Sequence, residues 1–433
     1  MTGIPQGPVP PQGAPGPLSG LHVIELASEW TAYAGKLLAD LGAEVVLVES
    51  PEGAPMRGYG PFCEDRPDPE SSLWWWHYQT SKLGVTLDLD DQQDASLLRR
   101  LVAGADLVLE GEPPGRLAAL GLDYSDASDA SQPGSALIWV SITPFGRDNP
   151  RSAEPVTDLT LLAGAGPVWS CGYDDHGLPP VRGGGNQAIH SGGLHAVTAT
   201  LAAVLHQQAT GRGQHIDVSL HAALNVTTEE ATFRWLVAGQ TVQRQTGRHA
   251  SPQPTMPTMA PDALGRPVNT GAPPRSPAEF SALLAWFDDL GLREEFPETF
   301  LLELGVERGG VDIADLSEDA EVQAIYAAGR EALILIASRL DGYDYFVDGQ
   351  RRGLATSVIY APEELFDDPH FVARGFPTPV YDEWRECSVT HAGAPIAFGA
   401  SPWRIARRAP RLGEHNAQIL DALRGGAPEA RHD

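Results

Sequence analysis

Residues 181–220 read VRGGGNQAIHSGGLHAVTATLAAVLHQQATGRGQHIDVSL, and this stretch decides the fold of the chain. It opens with three glycines and the polar pair Asn186-Gln187. From about residue 191, leucine and valine recur at steps of three and four, which predicts an α-helix. The glycines and alanines on its other faces indicate that the helix is buried. A Gly-Arg-Gly run can then end the helix through a left-handed cap, and residues 215–220 alternate apolar and polar side chains as a half-buried strand does.

The N-terminal part predicts the same kind of alternation between strand and helix. Residues 21–26 and 45–48 are predicted strands, and the second is a continuous apolar run, typical of a strand buried on both faces of a sheet. Between them, residues 31–41 predict a helix that Gly42 closes. Further strands are predicted at 83–89, 106–110 and 137–142. The pattern predicts an α/β fold with a large, doubly wound open sheet of Rossmann type. A GxGxxG motif is missing, so we do not expect a nicotinamide site.

Composition and charge exclude several classes of protein. The 433 residues carry a formal net charge of -27, which disfavours nucleic acid as a partner and repels an anion such as coenzyme A unless its site is locally basic. The cysteines Cys63, Cys171 and Cys387 show no CxxC pairing, so we expect no metal site and a reducing, cytoplasmic location. The sequence has no run of about 18 apolar residues, so no membrane span is expected.

Three blocks of sequence resemble one known family. They are PLSGLHVIELASEWTAYAGKLLADLGAEVVLVES at 17–50, LAAVLHQQATGRGQHIDVSL at 201–220 and GAPIAFGASPWRIARRAPRLGEHNAQIL at 393–420. In this order they resemble the family III CoA-transferases, the group that contains formyl-CoA transferase, carnitine CoA-transferase and alpha-methylacyl-CoA racemase. The resemblance extends from Pro17 to Leu423. It implies an enzyme that acts on an acyl thioester or a small carboxylate, with an acyl-CoA or a carrier-bound acyl group as its small-molecule partner.

The resemblance and the change of pattern after residue 222 together predict the domain organisation. Ser276 should cap a helix that begins at Pro277 and runs to Leu290. We predict the following division: a Pro/Gly-rich disordered tail at 1–18, the first part of the large α/β domain at 19–222, linkers and a smaller α+β domain at 223–399, and at 400–433 a C-terminal segment whose helix returns to the large domain. The resemblance also implies an interlocked homodimer.

The position of the family's nucleophile holds an apolar residue in this chain. In the transferases an aspartate ahead of the long helix attacks the thioester and forms a mixed anhydride, then an aspartyl-CoA thioester. The family pattern places that aspartate six residues before His195, at Ile189, which cannot do this chemistry. The racemases use a histidine and an aspartate, and their histidine falls on Thr157. The neighbouring Asp158 is expected to cap a helix that begins at Leu159.

The polar groups nearest to this position are His190, Asn186 and Gln187, and the sequence has no carboxylate between Asp175 and Asp217. An imidazole titrates near neutral pH, so His190 is the first candidate for proton transfer. Asn186 or Gln187 could donate a hydrogen bond to a developing oxyanion. A histidine that only forms hydrogen bonds near the helix start is the alternative.

Two features elsewhere could also line a site. Glu29 follows the first strand, where the resemblance places residues near the acyl group, although a solvated helix start explains it equally well. The run Trp74-Trp75-Trp76 could stack against a ligand, or it could be a buried helix start or a subunit contact.

The loops that hold coenzyme A in the family have changed here. Ser50, Leu83 and Glu112 stand at positions where the family is basic or neutral. Because guanidinium groups make the strong contacts to phosphate, we expect coenzyme A binding to be weak or absent. The remaining candidates for cofactor binding are Arg57, Lys82 and Gly111.

Three hypotheses stay open at this point. The chain could be a divergent family III CoA-transferase with a shifted nucleophile. It could be a repurposed tailoring enzyme that uses acid-base chemistry from His190, Asn186 and Glu29 on another substrate. It could also be a non-catalytic binding partner. The loss of both the nucleophile and the phosphate ligands favours the second and third hypotheses.

Overall fold

The computed structural model describes residues 14–127 and 135–425. The chain groups into two compact units. Of the described residues, the larger unit comprises 14–127, 135–169, Val181–Gly239 and 369–425. The smaller unit comprises Ser170–Pro180 and Gln240–Asp368. Of the tail predicted at 1–18, residues 1–13 lie outside the described residues.

A six-stranded sheet forms the centre of the larger unit. Its strands are β1 (His22–Leu26), β2 (Glu44–Glu49), β3 (Leu83–Thr86), β4 (Leu107–Glu110), β5 (Ile138–Thr143) and β6 (His215–Ser219). They lie in the order β3-β2-β1-β4-β5-β6, and every pair is parallel. The predicted α/β class is thereby confirmed. The strand order reverses between β1 and β4, and ligands of such sheets bind at the carboxyl ends of the strands beside this point.

Helices cover both faces of this sheet. Those up to residue 238 are α1 (Ala32–Asp40), α2 (Leu73–Tyr78), α3 (Gln92–Ala103), α4 (Arg116–Ala119), α5 (Tyr124–Ala127), α6 (Asp158–Ala165), α7 (Gln187–Thr210), α8 (Leu220–Asn225) and α9 (Glu229–Ala238). Successive strand residues point to opposite faces. Val45 therefore belongs to the core that includes residues of α1 and α7, whereas Val46 belongs to the core that includes residues of α3.

Helix α7 differs from its prediction at its start and in its burial. It begins at Gln187, four residues earlier than predicted, and ends at Thr210, where Gly211 with a φ of 72° gives the predicted left-handed cap. Leu194 is 53% exposed and Leu205 is 68% exposed, so the prediction of a fully buried helix is wrong. Small residues on all faces carry no pattern that distinguishes the covered face from the open one. Among the described residues, α7 is the one helix long and apolar enough to cross a membrane. Core helices of soluble proteins can have the same length and composition.

The smaller unit combines short strands with four helices. Its elements are β7 (Gln243–Gln245), β8 (Arg248–Ser251), β9 (Met259–Pro261), β10 (Pro267–Asn269), α10 (Pro277–Leu290), α11 (Thr299–Glu307), α12 (Ala320–Ala337), α13 (Gly342–Arg351) and β11 (Ser357–Val358). The Ser276 hydroxyl accepts from the Glu279 amide, and the Glu279 carboxylate accepts from the Ser276 amide at 2.8 Å. The predicted cap of α10 is therefore present.

From Pro369 the chain contributes to the larger unit again. This part contains α14 (Pro369–Ala373), the antiparallel hairpin β12 (Pro377–Asp382) and β13 (Cys387–Ala392), and α15 (Asn416–Gly425). His415 Nδ1 accepts from the Gly84 amide at 3.0 Å, which ties the start of α15 to β3. The predicted boundaries at 223 and 400 differ from this grouping, because 369–399 groups with the larger unit, as 223–239 also does, whereas 170–180 groups with the smaller one. The hairpin packs near α2, which explains the first of these differences.

Candidate active site

The candidate site is built around a hydrogen-bonded pair, Tyr78 and His190. Tyr78 ends α2, and His190 lies in the first turn of α7, 112 positions later. Tyr78 Oη lies 2.8 Å from His190 Nε2, and Asn186 Nδ2 donates to the same Oη at 3.3 Å. Since the hydroxyl accepts from Asn186, its own proton is free to point at Nε2. The imidazole then carries its proton on Nδ1.

Burial keeps the members of this network uncharged. Burial lowers the pKa of His190, although the negative charge of Asp158 raises it in part. Burial also raises the pKa of the Tyr78 phenol. At neutral pH the pair can therefore accept a proton or donate a hydrogen bond without holding a net charge.

Asp158 brings a carboxylate to the start of α7. The prediction that Asp158 caps its own helix is wrong: Thr157 is the cap of α6, and its hydroxyl accepts from the Thr160 amide. Asp158 Oδ1 instead accepts from the Ala188 amide at 2.9 Å, and Oδ2 pairs with Arg182 at 2.5 Å. The positive end of the α7 dipole favours this arrangement. The sequence has no carboxylate between Asp175 and Asp217, but the fold places the earlier residue Asp158 beside the start of α7.

Ile189 fills the position that the family resemblance assigns to the nucleophile. Its side chain is 3% exposed and belongs to a small core cluster with Ala32 and Tyr78. A carboxylate at this place would be surrounded by apolar groups, and burying an unpaired charge is costly. The geometry therefore accommodates isoleucine as part of the packing.

The other two predicted catalytic residues lie at the margin of this network. A Cβ atom on Gly183 would come within 2.1 Å of Gln187 Nε2, which shows that the Gln187 amide is folded against the glycine loop. Glu29 accepts a hydrogen bond from Tyr59 Oη at 3.3 Å. Burial raises the pKa of Glu29, and the charge of Asp158 raises it further. Glu29 and His190 thus share Asp158 as an electrostatic neighbour.

A row of aromatic rings adjoins His190. Tyr33 packs on the imidazole with ring centroids 4.4 Å apart, and on the other side Trp74 lies 4.4 Å from the Tyr78 ring. Tyr59 continues the row at 5.5 Å from Trp74. Two tryptophans of the run therefore have different surroundings. Trp75 is 1% exposed and packs in the core, whereas Trp74 belongs to the aromatic row. Sequence reasoning missed Tyr33 and Tyr78, and nothing in their local pattern marks them.

A second concave surface lies at the carboxyl ends of strands β1 to β4. It encloses about 310 Å³, and its lining includes Glu49, Glu52, Asp88, Asp90, Glu112 and Arg116. Arg116 is already engaged, at 3.5 Å from Asp90 and 3.2 Å from Glu112. Gly111 lies at the same edge, where a Cβ atom would come within 2.6 Å of Ser28 Oγ. Carboxylates dominate this lining, so its charges do not fit the phosphates of coenzyme A.

The structure also opposes the predicted roles of Arg57 and Lys82. Arg57 is 2% exposed, pairs with Glu49 at 2.7 Å and with Glu70 at 3.1 Å, and stacks on Trp75. Lys82 is fully buried in an ion pair with Glu25 at 2.7 Å. Binding a phosphate would require these buried pairs to break, and separating such a pair leaves an uncompensated charge. Both cations act here as structural groups.

Comparison with known proteins identifies the family of this chain. The family model described as CoA-transferase family III matches residues 18–260 and 322–416. The chain belongs to this family. Over 409 residues it is 31% identical to "Succinyl-CoA:(R)-benzylsuccinate CoA-transferase subunit BbsE" of Thauera aromatica, which covers 93% of each chain. Over 413 residues it is 30% identical to "Succinate--glutarate CoA-transferase" of Agrobacterium fabrum (strain C58 / ATCC 33970), covering 94% of this chain and 96% of the relative.

Solved structures of family III members share the fold. A CAIB/BAIF family protein from Brucella suis superposes with a TM-score of 0.72 at 26% sequence identity, covering 94% of this chain and 100% of the other. The six-stranded parallel sheet described above matches this family III architecture.

Proposed function

We propose that this family III chain works as one subunit of a CoA-transferase and that the nucleophilic carboxylate and the main CoA phosphate contacts come from a partner chain of the same family. Ile189 carries this proposal, because an apolar side chain 3% exposed occupies the nucleophile's position. The acidic pocket and the buried pairs of Arg57 and Lys82 support it, since the losses concern both the chemistry and the phosphate contacts. The relative from Thauera aromatica is itself named as a subunit.

For the acyl side, we propose a small carboxylic acid with an aromatic or branched substituent. The names of the relatives refer to succinyl-CoA, benzylsuccinate and glutarate, which are all carboxylic acids or their thioesters. The row of rings from Tyr59 to Tyr33 supports an aromatic substituent, because aromatic pairs gain energy beyond the area that they bury.

The proposal requires a different chain of the family as the partner, because a second copy carries Ile189 as well. The interlocked homodimer implied by the sequence resemblance is a separate proposal about how this chain assembles. Helix α9 exposes Phe233, Trp235, Leu236 and Val237, at 59%, 63%, 72% and 86%. Contiguous exposed apolar residues of this size favour an interface. Sedimentation should show a dimer at micromolar concentration, and a monomer there would contradict pairing with itself. The free cysteines are compatible with a cytoplasmic location, which we also propose.

The decisive experiment restores the carboxylate. Wild-type protein, Ile189→Asp and the matched control Ile189→Asn are incubated with succinyl-CoA, treated with hydroxylamine or borohydride, and mapped by mass spectrometry. We expect no adduct on the wild-type chain or on Ile189→Asn, and at most a small amount at position 189 in Ile189→Asp, because this position is buried and the chain lacks the main CoA contacts. An adduct on any aspartate or glutamate of the wild-type chain, Asp158 included, would refute the assignment of the nucleophile to a partner.

His190 favours a second candidate function, acid-base chemistry by this chain alone. Its neutral imidazole, oriented by Tyr78 and Asn186, has the form that a general base needs. One measurement distinguishes the partner-dependent CoA-transferase from acid-base chemistry by this chain alone. If the purified chain turns over a thioester without forming an adduct, and His190→Ala abolishes that turnover, the acid-base function is supported and the partner is unnecessary.

A further inference from the structure

Another pocket, distinct from the acidic one at the carboxyl ends of the strands, lies in the larger unit between the β12–β13 hairpin and α2. It encloses about 260 Å³, and its lining comes from the hairpin, from α2 and the loop before it, and from residues 408–411. Tyr78, His190 and Asn186 are not among the described residues that line it. This pocket is therefore separate from the candidate active site, and an inference about it does not depend on the proposed function.

Flat aromatic surfaces form the walls of the pocket. Trp75, Trp76 and Trp384 line it. The indole N–H groups of Trp75 and Trp76 donate to backbone carbonyls at 3.0 Å, so they are already engaged. The Arg385 guanidinium lies 4.6 Å from the Trp76 ring, and that of Arg411 lies 4.4 Å from the Trp384 ring. Trp75 is 1% exposed and Arg57 stacks on it, so the stacking surface for a planar ring comes from the half-buried Trp76 and the exposed Trp384.

The charges around the pocket balance one another. Its lining contains Arg385, Arg408 and Arg411 together with Asp68, Glu70 and Asp382. Asp382 lies 3.5 Å from both Arg385 and Arg408, and Glu70 lies 4.0 Å from Arg411. The three carboxylates of the lining offset the positive charge of its three guanidinium groups, so the pocket favours neither an anion nor a cation.

His391 is the polar side chain of this pocket whose ring nitrogens can bind a ligand. Its residue is 8% exposed and lines the pocket, and across 14–127 and 135–425 no protein atom makes a hydrogen bond to its ring. Burial, with a smaller contribution from Lys36, lowers the pKa of His391 to about 4. The neutral imidazole has one N–H donor and one acceptor nitrogen. A ligand with a matching acceptor and donor on one edge would satisfy both nitrogens of this ring.

We propose that this pocket binds a flat, uncharged heteroaromatic ring that bears a hydrogen-bond donor and an acceptor on one edge, as a purine base does. The ring lies against the tryptophan faces, and its edge pairs with His391. A volume of about 260 Å³ is sufficient for a two-ring heterocycle. The balanced charges select against ligands whose recognition depends on a phosphate or a carboxylate.

The test is a calorimetric titration of the full-length protein with three probes. Adenosine presents the base without charge, AMP presents the same base with a phosphate, and benzoate presents a flat anion of another kind. We expect saturable binding of adenosine, weaker binding of AMP and no binding of benzoate. Binding of AMP but not adenosine would overturn the proposal, since the phosphate would then be what is recognised. Absence of adenosine binding at 10 mM (roughly the weak limit for a specific site) would overturn it too.

Two variants locate the site, and one serves as a control. Trp384 is 64% exposed at the pocket, so Trp384→Ala should fold and should weaken adenosine binding. His391→Leu keeps the volume and removes the hydrogen bonds, and we expect a loss of about tenfold. His206→Leu changes an exposed histidine outside the pocket and should bind as wild type does. Equal affinity of all four proteins would place adenosine elsewhere and overturn the assignment.

Discussion

At the scale of single residues, the sequence shows which residue types are present at the site but not which of them are in contact. The absence of a carboxylate at position 189 follows from the sequence, as does the resulting interest in His190 and Asn186. The sequence does not show that Asp158 reaches the start of α7 or that Tyr78 meets His190. These contacts cross long stretches of chain, and no local periodicity encodes them.

Glu112 gives a prediction about coenzyme A at this scale. Burial raises the pKa of Glu112, and its carboxylate holds Arg116 at 3.2 Å. Glu112→Gln should remove a negative charge from the pocket and release Arg116, so we expect CoA affinity to rise by roughly two- to fivefold, less at high salt. Calorimetry measures this change.

Glu154→Gln is the matched control for Glu112→Gln, because Glu154 is exposed and pairs with Arg151 away from the pocket. Equal affinities of both variants would contradict the role of pocket charge. Saturable binding of coenzyme A to wild type at low micromolar concentration would contradict the broader prediction of weak binding.

At the scale of elements, local rules predicted the end of α7 better than its start. Gly211 takes the left-handed conformation that the sequence indicates. The start differs because the regular spacing of leucine and valine begins only after residue 191, whereas Gln187 is already helical. The β12–β13 hairpin was not predicted, because Pro377 and Pro379 argue against a central strand although an isolated two-stranded hairpin tolerates them.

The second glycine of the Gly-Arg-Gly run leads to a prediction about stability. A Cβ atom on Gly213 would lie 1.9 Å from the Leu137 carbonyl oxygen, and the Gly213 amide donates to Ser135 at 2.8 Å. Gly213→Ala should force β6 away from β5 and lower the free energy of unfolding by about 2 to 4 kcal/mol. Arg212→Ala, an exposed neighbour, should change it by less than about 0.5 kcal/mol. Urea unfolding distinguishes them, and equal midpoints would show that the strand adapts.

At the scale of the whole molecule, the alternation of strands and helices predicted the α/β class and the parallel sheet, but not which loops meet. Hydrophobic runs such as 45–48 determine that a strand is buried. The approach of α2 to α7 depends on the order of strands across the sheet, which one sequence does not specify.

Buried histidines predict how the whole molecule responds to acid. Burial, with the nearby basic groups Lys36, His190 and His391, lowers the pKa of His77 to about 3. The unfolded state therefore takes up a proton first as the pH falls below about 6.5, and stability should decrease from there toward pH 3, by up to about 1.4 kcal/mol per pH unit for this group.

Urea unfolding between pH 7.5 and 4.5 measures this slope. His77→Gln should flatten it, whereas His206→Gln, at an exposed position, should leave it unchanged. A wild-type slope that His77→Gln does not alter would assign the acid sensitivity to the carboxylates.

The C-terminal segment completes the larger unit, and this has a consequence for biosynthesis. Ala409 closes the core around Leu47 and Trp75, and His415 bonds to Gly84, 331 positions earlier. At about 5 to 20 residues per second, a ribosome needs roughly 15 to 65 s to make the intervening chain. During that time the newly made strands keep an open edge, so a nascent chain of this protein should depend on chaperones until translation ends.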